Sequence, residues 1–117
     1  MSISISPGQA LLLWKQVNLN LVLDETHDLS VRQMAILLTI YIDGPPHTIR
    51  GLAKKLNVTK PVITRALDSM GIMGLVARRR DEKDKRNVLI QRTVKGALYL
   101  ENLGDMICQT AANTKDR

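Results

Sequence analysis

The spacing of apolar and polar residues predicts five helices and one β-hairpin in this chain. In the second helix Met34, Leu37 and Tyr41 stand at i, i+3 and i+7, which places them on one helical face. The first segment is apolar nearly all round, which indicates a helix that is buried on several sides. The predicted helices cover residues 9–23, 31–42, 49–56, 59–71 and a last segment from 94 into the 100s.

Residues with specific roles at helix ends delimit the middle helices. Ser30 is suited to cap the second helix, and Gly44-Pro45-Pro46 ends it because two prolines cannot continue a helix. The next two helices are joined by Asn57-Val58-Thr59, where Asn tolerates the left-handed conformation and Thr59 is expected to cap the helix that follows. Pro61 then falls in the first helical turn, where its missing N–H costs nothing.

A strand–loop–strand pattern follows this helix pair. Residues 75–80 and 87–93 have β character and flank a charged tip at 81–86. A helix pair followed by a basic hairpin is the layout of a winged helix-turn-helix, whose second helix enters a DNA major groove. We therefore predict a mainly α fold with a small β-hairpin wing over 78–92 and a recognition helix over 59–71.

The charged residues are distributed unevenly along the chain. Its formal net charge is +6, but residues 50–95 hold 13 of the 17 Lys and Arg and only 4 of the 11 Asp and Glu. This segment therefore carries +9 and the remainder carries −3. A basic block within a neutral-to-acidic remainder predicts a surface that binds a polyanion.

Composition excludes several other functional classes. The only aromatic residues are Trp14, Tyr41 and Tyr99, too few for the ring platforms on which single-stranded nucleic acids stack. Cys108, the single cysteine, permits no internal disulfide and is interpreted as an ordinary small residue. With one cysteine and two histidines there is no metal-ligand spacing, and no phosphate loop or nucleophile motif occurs. We expect no metal, no cofactor and no enzymatic activity.

The hydropathy of the chain does not indicate a membrane protein. Its longest apolar runs are too short to span a bilayer, and the N-terminus has neither the basic region nor the long apolar region of a signal peptide. We expect a soluble, cytoplasmic protein without a membrane partner.

Several short segments resemble those of one known family. They are Leu52-Ala53-Lys54-Lys55-Leu56-Asn57-Val58-Thr59, Val62-Ile63-Thr64-Arg65-Ala66-Leu67-Asp68, Gly74-Leu75-Val76 before the arginines, and Asp81, Asp84, Arg86, Thr93 and Gly96 at wing-motif spacing. Together, over about residues 29–103, they resemble the MarR-type (multiple antibiotic resistance regulator) winged-helix transcription regulators. The resemblance implies a homodimeric regulator that binds double-stranded DNA, and a compact binder acts most simply as a repressor by occlusion.

The chain differs from that family in two places. The family has an apolar residue just before the threonine that follows the wing, and here it is Arg92. Typical members are about a fifth longer and have two C-terminal helices, whereas this chain has room for one. No residue pattern indicates a small-molecule effector.

Polar and basic side chains on the helix pair and the hairpin are the predicted DNA contacts. Arg65 can bind guanine O6 and N7, while Lys60 and Thr64 can serve bases or phosphates. Thr48 and Arg50, at the start of the third helix, are predicted phosphate contacts. The predicted set is Thr48, Arg50, Thr59, Lys60, Pro61, Thr64, Arg65, Arg78, Arg80, Lys83, Asp84, Lys85 and Arg86.

The wing contains the most specific pair of this set, Asp84 and Arg86. The resemblance implies that the arginine reaches into the minor groove and that the aspartate helps to hold it. A narrow A·T-rich groove attracts such a cation because its negative potential is enhanced. Side chains alternate along a strand, so Arg79 points away from Arg78 and Arg80, and at least one of the three is expected to be structural.

The terminal helices are predicted to join two copies of the chain, because they have more apolar residues than one small lobe can cover. We expect one domain, 1–117, with an N-terminal dimerisation helix (7–24), a winged helix-turn-helix lobe (30–93) and a C-terminal dimerisation helix (94–112). A two-fold axis would match a pseudo-palindromic operator. The predicted interface residues are Leu12, Leu13, Val17, Leu21, Leu100, Leu103, Met106 and Ile107.

Two other functions fit the same fold. A winged-helix module could bind another protein and have no DNA role, although a block of +9 is unlike the charge-depleted centre of a protein interface. A nucleoid-type protein could use the same surface with little regard for sequence. The steep salt dependence of phosphate binding separates the first alternative from a DNA-binding regulator, and the specificity ratio separates the second.

Overall fold

A computed structural model of the chain describes residues 4–24 and 26–115. Its elements are α1 (Pro7–Leu23), α2 (Val31–Ile42), α3 (Ile49–Leu56), α4 (Lys60–Ile72), β1 (Val76–Arg80), β2 (Val88–Arg92) and α5 (Val94–Lys115). The predicted fold class, mainly helical with one small hairpin, is confirmed. The backbone divides into two compact units, Leu29–Leu100 and the combination of Met1–Asp28 with Glu101–Arg117.

The unit Leu29–Leu100 is organised around one aliphatic core. Helices α3 and α4 pack on each other, α2 packs on α4 and β2, and β1 packs on α4. Burying each large aliphatic side chain contributes about 1.5–3 kcal/mol, so this core fixes the orientation of α4. The core residues are Ile36, Leu37, Ile40, Leu52, Ala53, Ile63, Ala66, Leu67, Met70, Leu75, Val76 and Ile90.

The helix ends follow local sequence, with one exception. Ser30 forms a reciprocal capping box with Gln33, and Asn57 ends α3 in the left-handed conformation with φ 56°. The expectation that the side chain of Thr59 caps α4 is wrong, since its hydroxyl makes no capping hydrogen bond. A capping hydroxyl would accept from the second or third helical N–H, but Pro61 has none and the Val62 N–H donates to the Thr59 carbonyl at 3.1 Å.

The hairpin pairs its strands in antiparallel register from Val76 opposite Arg92 to Arg80 opposite Val88. The segment before α3 runs beside β2, because the N–H of Ile90 donates to the His47 carbonyl at 2.8 Å. The wing is therefore attached along β2 to the helix pair as well as through the chain.

The second unit contains α1 and the part of α5 that begins at Glu101. Ser6 and Gln9 form a capping box at the start of α1, which begins at Pro7. Val17 and Leu103 are its buried apolar residues. Asn20 Nδ2 lies 3.5 Å from Thr110 Oγ1 and links the two helices. Within the described residues, no helix combines the length and hydropathy that crossing a bilayer requires.

Candidate nucleic-acid interface

The outer face of α4, with its N-cap Thr59, presents five of the thirteen predicted contact residues. Ile63, Ala66, Leu67 and Met70 recur at i, i+3, i+4 and i+7 and are buried, so the side chains between them point outward. Arg65 is among these outward residues and makes no ion pair within the described part of the chain. The predicted residues Thr59, Lys60, Pro61 and Arg65 are exposed, and Thr64 is half-buried.

The start of α3 lies close to the wing. Thr48 caps α3, because its Oγ1 accepts from the Gly51 N–H at 2.9 Å, and its backbone forms a bridge with Leu89. The pKa of Asp84 at the wing tip is lowered mainly by hydrogen bonds from Arg86, and the positive charge of Arg50 adds a smaller lowering. The structure thus places Thr48 against the hairpin, and Arg50 follows it in the first turn of α3.

The Asp84–Arg86 pair organises the tip of the wing. The Arg86 Nε and Nη2 donate to the two carboxylate oxygens of Asp84 at 3.0 and 3.2 Å, and the Arg86 N–H donates to the first of them at 3.2 Å. Hydrogen bonds from the Arg86 side chain, and then from its backbone, lower the pKa of Asp84. The same contact raises the pKa of Arg86. The hydrogen bonds to Asp84 hold the charge of Arg86 in a defined position. The Arg86 side chain is 79% exposed, so this charge still faces solvent.

The three consecutive arginines of β1 have different surroundings. Arg78 Nη2 donates to Asp68 Oδ1 of α4 at 2.6 Å, so Arg78 joins the wing to the recognition helix. Arg80 shares the face of Arg78, because side chains alternate along a strand. Arg79 lies on the other face, in a groove with Pro45 and Pro46. Sequence periodicity predicted this alternation, but the Asp68 partner of Arg78 emerges only from the fold.

A polar cluster at the base of the wing was missed by sequence reasoning. The Tyr41 hydroxyl donates to the Leu75 carbonyl (2.6 Å) and accepts from the Thr93 N–H (2.9 Å). Thr93 Oγ1 donates to the Gly74 carbonyl (2.7 Å) and accepts from the Gly96 N–H (2.9 Å). The cluster ties α2, the start of β1, the end of β2 and the start of α5 together. Its only signal in the sequence was the spacing of Thr93 and Gly96 in the resembled wing motif.

The residues predicted to form a dimer interface differ in exposure. Val17 and Leu103 are already buried within their own unit, while the other six are half-buried. The strongly exposed apolar side chains of α1 are different ones, namely Leu11, Trp14, Leu19, Val22 and Leu23. Among the residues that the structure describes, no cluster of His, Cys, Asp and Glu could hold a metal ion.

Comparison with known proteins identifies the family. The family model described as MarR matches residues 29–88, which is just over half of the chain. The chain belongs to the MarR family. The matched residues include α2, α3, α4, β1 and the wing tip, the parts that form the surface described above.

Relatives of the chain include transcriptional regulators. The chain is 39% identical over 67 residues to the HTH-type transcriptional repressor YetL of Bacillus subtilis (strain 168), a match that covers 56% of the chain and 40% of YetL. Thus the match spans less than half the length of this curated relative.

Solved structures show the same fold. The transcriptional regulator BldR from Sulfolobus solfataricus is similar with a TM-score of 0.64 and 31% identity, over 85% of this chain and 68% of that one. Streptococcus pneumoniae FabT, solved in complex with DNA, is similar with a TM-score of 0.69 and 26% identity, over 93% of this chain and 74% of that one.

Proposed function

We propose that this MarR-family chain is a sequence-specific regulator that binds double-stranded DNA, with α4 in the major groove and the wing at the minor groove. The observation that carries the proposal is the pairing of an exposed, polar outer face on α4 with a wing whose Arg86 is held by Asp84. Both lie in the segment of net charge +9. Such a surface supplies phosphate attraction and base contacts together.

Each part of this surface has a role that its chemistry supports. Arg65 has the donor fork that matches guanine O6 and N7, and Lys60 at the start of α4 suits a phosphate or a base. Arg86 suits a narrow minor groove, where Asp84 restricts its orientation before DNA arrives. The surface extends toward the phosphates through the free hydroxyl of Thr59 and the exposed side chains of Lys83 and Lys85. The proposed set of contact residues also includes Thr48, Arg50, Pro61, Thr64, Arg78 and Arg80.

We assign Asp68 and Arg78 to holding the recognition helix against the wing. Their 2.6 Å pair neutralises a carboxylate that would otherwise repel DNA phosphates. Arg78 thus serves the interface by its contact with Asp68 in the free protein, and any phosphate contact is additional.

A homodimer is the proposed active form. Burying the exposed side chains of α1, such as Leu11 (71% exposed), Trp14 (60%) and Val22 (75%), against a second copy would remove a large apolar patch from water. A two-fold axis would then present two copies of α4 to successive major grooves, and the operator would be a pseudo-palindrome. The proposed mode of action is repression by occlusion, in the cytoplasm, as the name of the YetL repressor suggests for a relative.

The test is selection of bound duplexes from a random pool, followed by titration of the best sequence and of random DNA at several salt concentrations. A regulator should prefer the selected duplex by a factor of about 10³ or more and lose affinity steeply between roughly 50 and 200 mM salt. Tight binding without preference would identify a nucleoid-type protein, and no salt-dependent binding would identify a protein-interaction module.

Two neighbouring arginines provide a matched control for this surface. Arg80→Ala should weaken duplex binding, whereas Arg79→Ala, on the opposite face of β1, should retain nearly parental affinity. Both changes remove one positive charge from the same strand, so equal losses would indicate a general charge effect and not a defined interface.

A further inference from the structure

The C-terminal end of α2 lacks the donors that usually complete a helix. The helix ends at Ile42 with Asp43 as its C-cap, and its last turn contains no basic residue. The chain continues as Gly44-Pro45-Pro46, and proline has no N–H. In a common helix ending, the N–H of the second residue after the C-cap donates to the carbonyl of the third residue before the C-cap. Here those positions are Pro45, which has no N–H, and Ile40, whose carbonyl needs another donor.

Arg92 supplies these donors from the wing. Its Nε donates to the Ile40 carbonyl at 2.9 Å. Its Nη2 donates at 2.9 Å to the Asp43 carbonyl, which also lies 3.1 Å from His47 Nε2. Its guanidinium carbon lies 5.9 Å from the centroid of the Tyr41 ring. A cation at the C-terminal end of a helix is favoured by the helix dipole, and hydrogen bonds from a charged donor are stronger than neutral ones. The guanidinium fork therefore completes α2 from a residue about 50 positions away.

The position of Arg92 makes this contact relevant to the wing tip. Arg92 is the last residue of β2 and lies opposite Val76, the first residue of β1, so it stands at the base of the hairpin. At about 3.4 Å per residue, five-residue strands place the tip roughly 14–17 Å from the base. A rotation of about 10° at the base would then displace the tip by roughly 2–3 Å, comparable to the length of a hydrogen bond.

We propose that Arg92 is a positioning residue for DNA recognition, orienting the wing against the helix pair through the carbonyls at the end of α2. It acts through Arg86, which it does not touch, and makes no DNA contact of its own. The Tyr41 and Thr93 hydrogen bonds join the two strand ends to the side of α2. Arg92 adds a second attachment, to the carbonyls at the C-terminal end of that helix. The proposal rests on the proposed function of the wing at the minor groove.

The first experiment measures wing orientation in the free protein, without DNA. Residual dipolar couplings of backbone amides are compared between the parent and Arg92→Leu, which keeps the bulk but removes the donors. In the parent, couplings of β1, β2, α2 and α4 should fit one alignment tensor. In Arg92→Leu the couplings of β1 and β2 should no longer fit the alignment tensor of the helices, while the couplings of α2 and α4 should still fit one common tensor. Unchanged hairpin couplings would overturn the proposal.

The second experiment is a double-mutant cycle on the best selected duplex. Arg92→Leu should weaken binding by roughly 3- to 10-fold, equivalent to about 0.7–1.4 kcal/mol, but should have no further effect in an Arg86→Ala background. Independent losses from the two changes would overturn the proposal, because they would show that Arg92 does not act through Arg86.

Arg92→Lys distinguishes the fork from the charge. Lysine keeps the positive charge but cannot donate in two fixed directions, so it should restore little of the lost affinity or of the parental couplings. Recovery of affinity without recovery of the couplings would identify Arg92 as a phosphate contact and overturn the proposal. If Arg86→Ala alone binds DNA like the parent, the proposed role of the wing fails, and the dipolar couplings still decide whether Arg92 orients the hairpin.

Discussion

Gly96 stands where the start of α5 meets the base of the wing. Its N–H donates to Thr93 Oγ1 at 2.9 Å. A Cβ at this position would overlap both the Tyr41 hydroxyl and the Leu75 carbonyl oxygen. Those two atoms are hydrogen-bonded to each other at 2.6 Å, so the change Gly96→Ala must displace or break that bond.

We expect Gly96→Ala to lower the free energy of unfolding by about 1–5 kcal/mol. Forcing an extra carbon into a packed site typically costs about 1–3 kcal/mol. A part-buried hydroxyl or carbonyl that loses its partner adds about 1–3 kcal/mol, and the better helix propensity of alanine offsets about 1 kcal/mol. For a protein whose total stability is about 5–15 kcal/mol, this is a large fraction.

Urea unfolding followed by far-ultraviolet circular dichroism, at one fixed protein concentration, measures the loss. The matched control is Gly71→Ala in α4, where an added Cβ meets nothing within 4 Å, so the variant should be as stable as the parent or slightly more stable. In a Tyr41→Phe background, Gly96→Ala should cost less than alone, because the hydroxyl oxygen, the nearest of the overlapping atoms, is gone. If Gly96→Ala unfolds at the parental urea concentration, the close packing at the wing base is refuted.

Three further predictions concern DNA binding and assembly. Arg65→Ala should weaken binding to the best selected duplex by roughly 1–3 kcal/mol in fluorescence anisotropy and barely change binding to random DNA; equal losses would reassign Arg65 to a phosphate. Arg86→Ala should lose affinity mainly for duplexes with A·T-rich flanks, and Asp84→Ala should show a smaller loss of affinity for the same duplexes. If both variants bind with parental affinity at physiological salt, the wing has no role in DNA binding. Val22→Glu, on the exposed face of α1, should dissociate the dimer during sedimentation at low micromolar concentration, while Val31→Glu on α2 should leave assembly unchanged; a monomeric parent would refute the dimer.

Local sequence was sufficient for the elements and not for the contacts between them. Caps and breakers such as Ser30, Gly44-Pro45-Pro46 and Asn57 act within a few residues, so helix positions followed from them. Periodicity placed Tyr41 on the inner face of α2 but contained nothing about its hydroxyl, whose partners lie 34 and 52 residues away. The Asp68 partner of Arg78 and the carbonyl partners of Arg92 depend in the same way on how the hairpin is set against the helices.

Thr59 is the N-cap residue of α4, as predicted, but its side chain makes no capping hydrogen bond, for a local reason. A capping hydroxyl accepts from the second or third helical N–H, but Pro61 has no N–H and the Val62 N–H donates to the Thr59 carbonyl. Side-chain capping is a statistical preference of the residue type, so position alone does not guarantee the hydrogen bond. The consequence is functional, because the unused hydroxyl remains on the proposed DNA-facing surface.

The contacts that place the wing differ in strength according to their exposure. The Asp68–Arg78 pair connects the wing directly to the recognition helix, but its side chains are 53% and 37% exposed, and such pairs contribute about 0–1 kcal/mol. The Tyr41 bonds at the base and the Arg92–Ile40 bond are part-buried and leave polar groups without partners when broken, whereas the Arg92–Asp43 bond is exposed. The contacts at the base of the wing therefore determine its orientation. They also determine the position of the tip, where Arg86 would contact DNA, although they lie far from the groove.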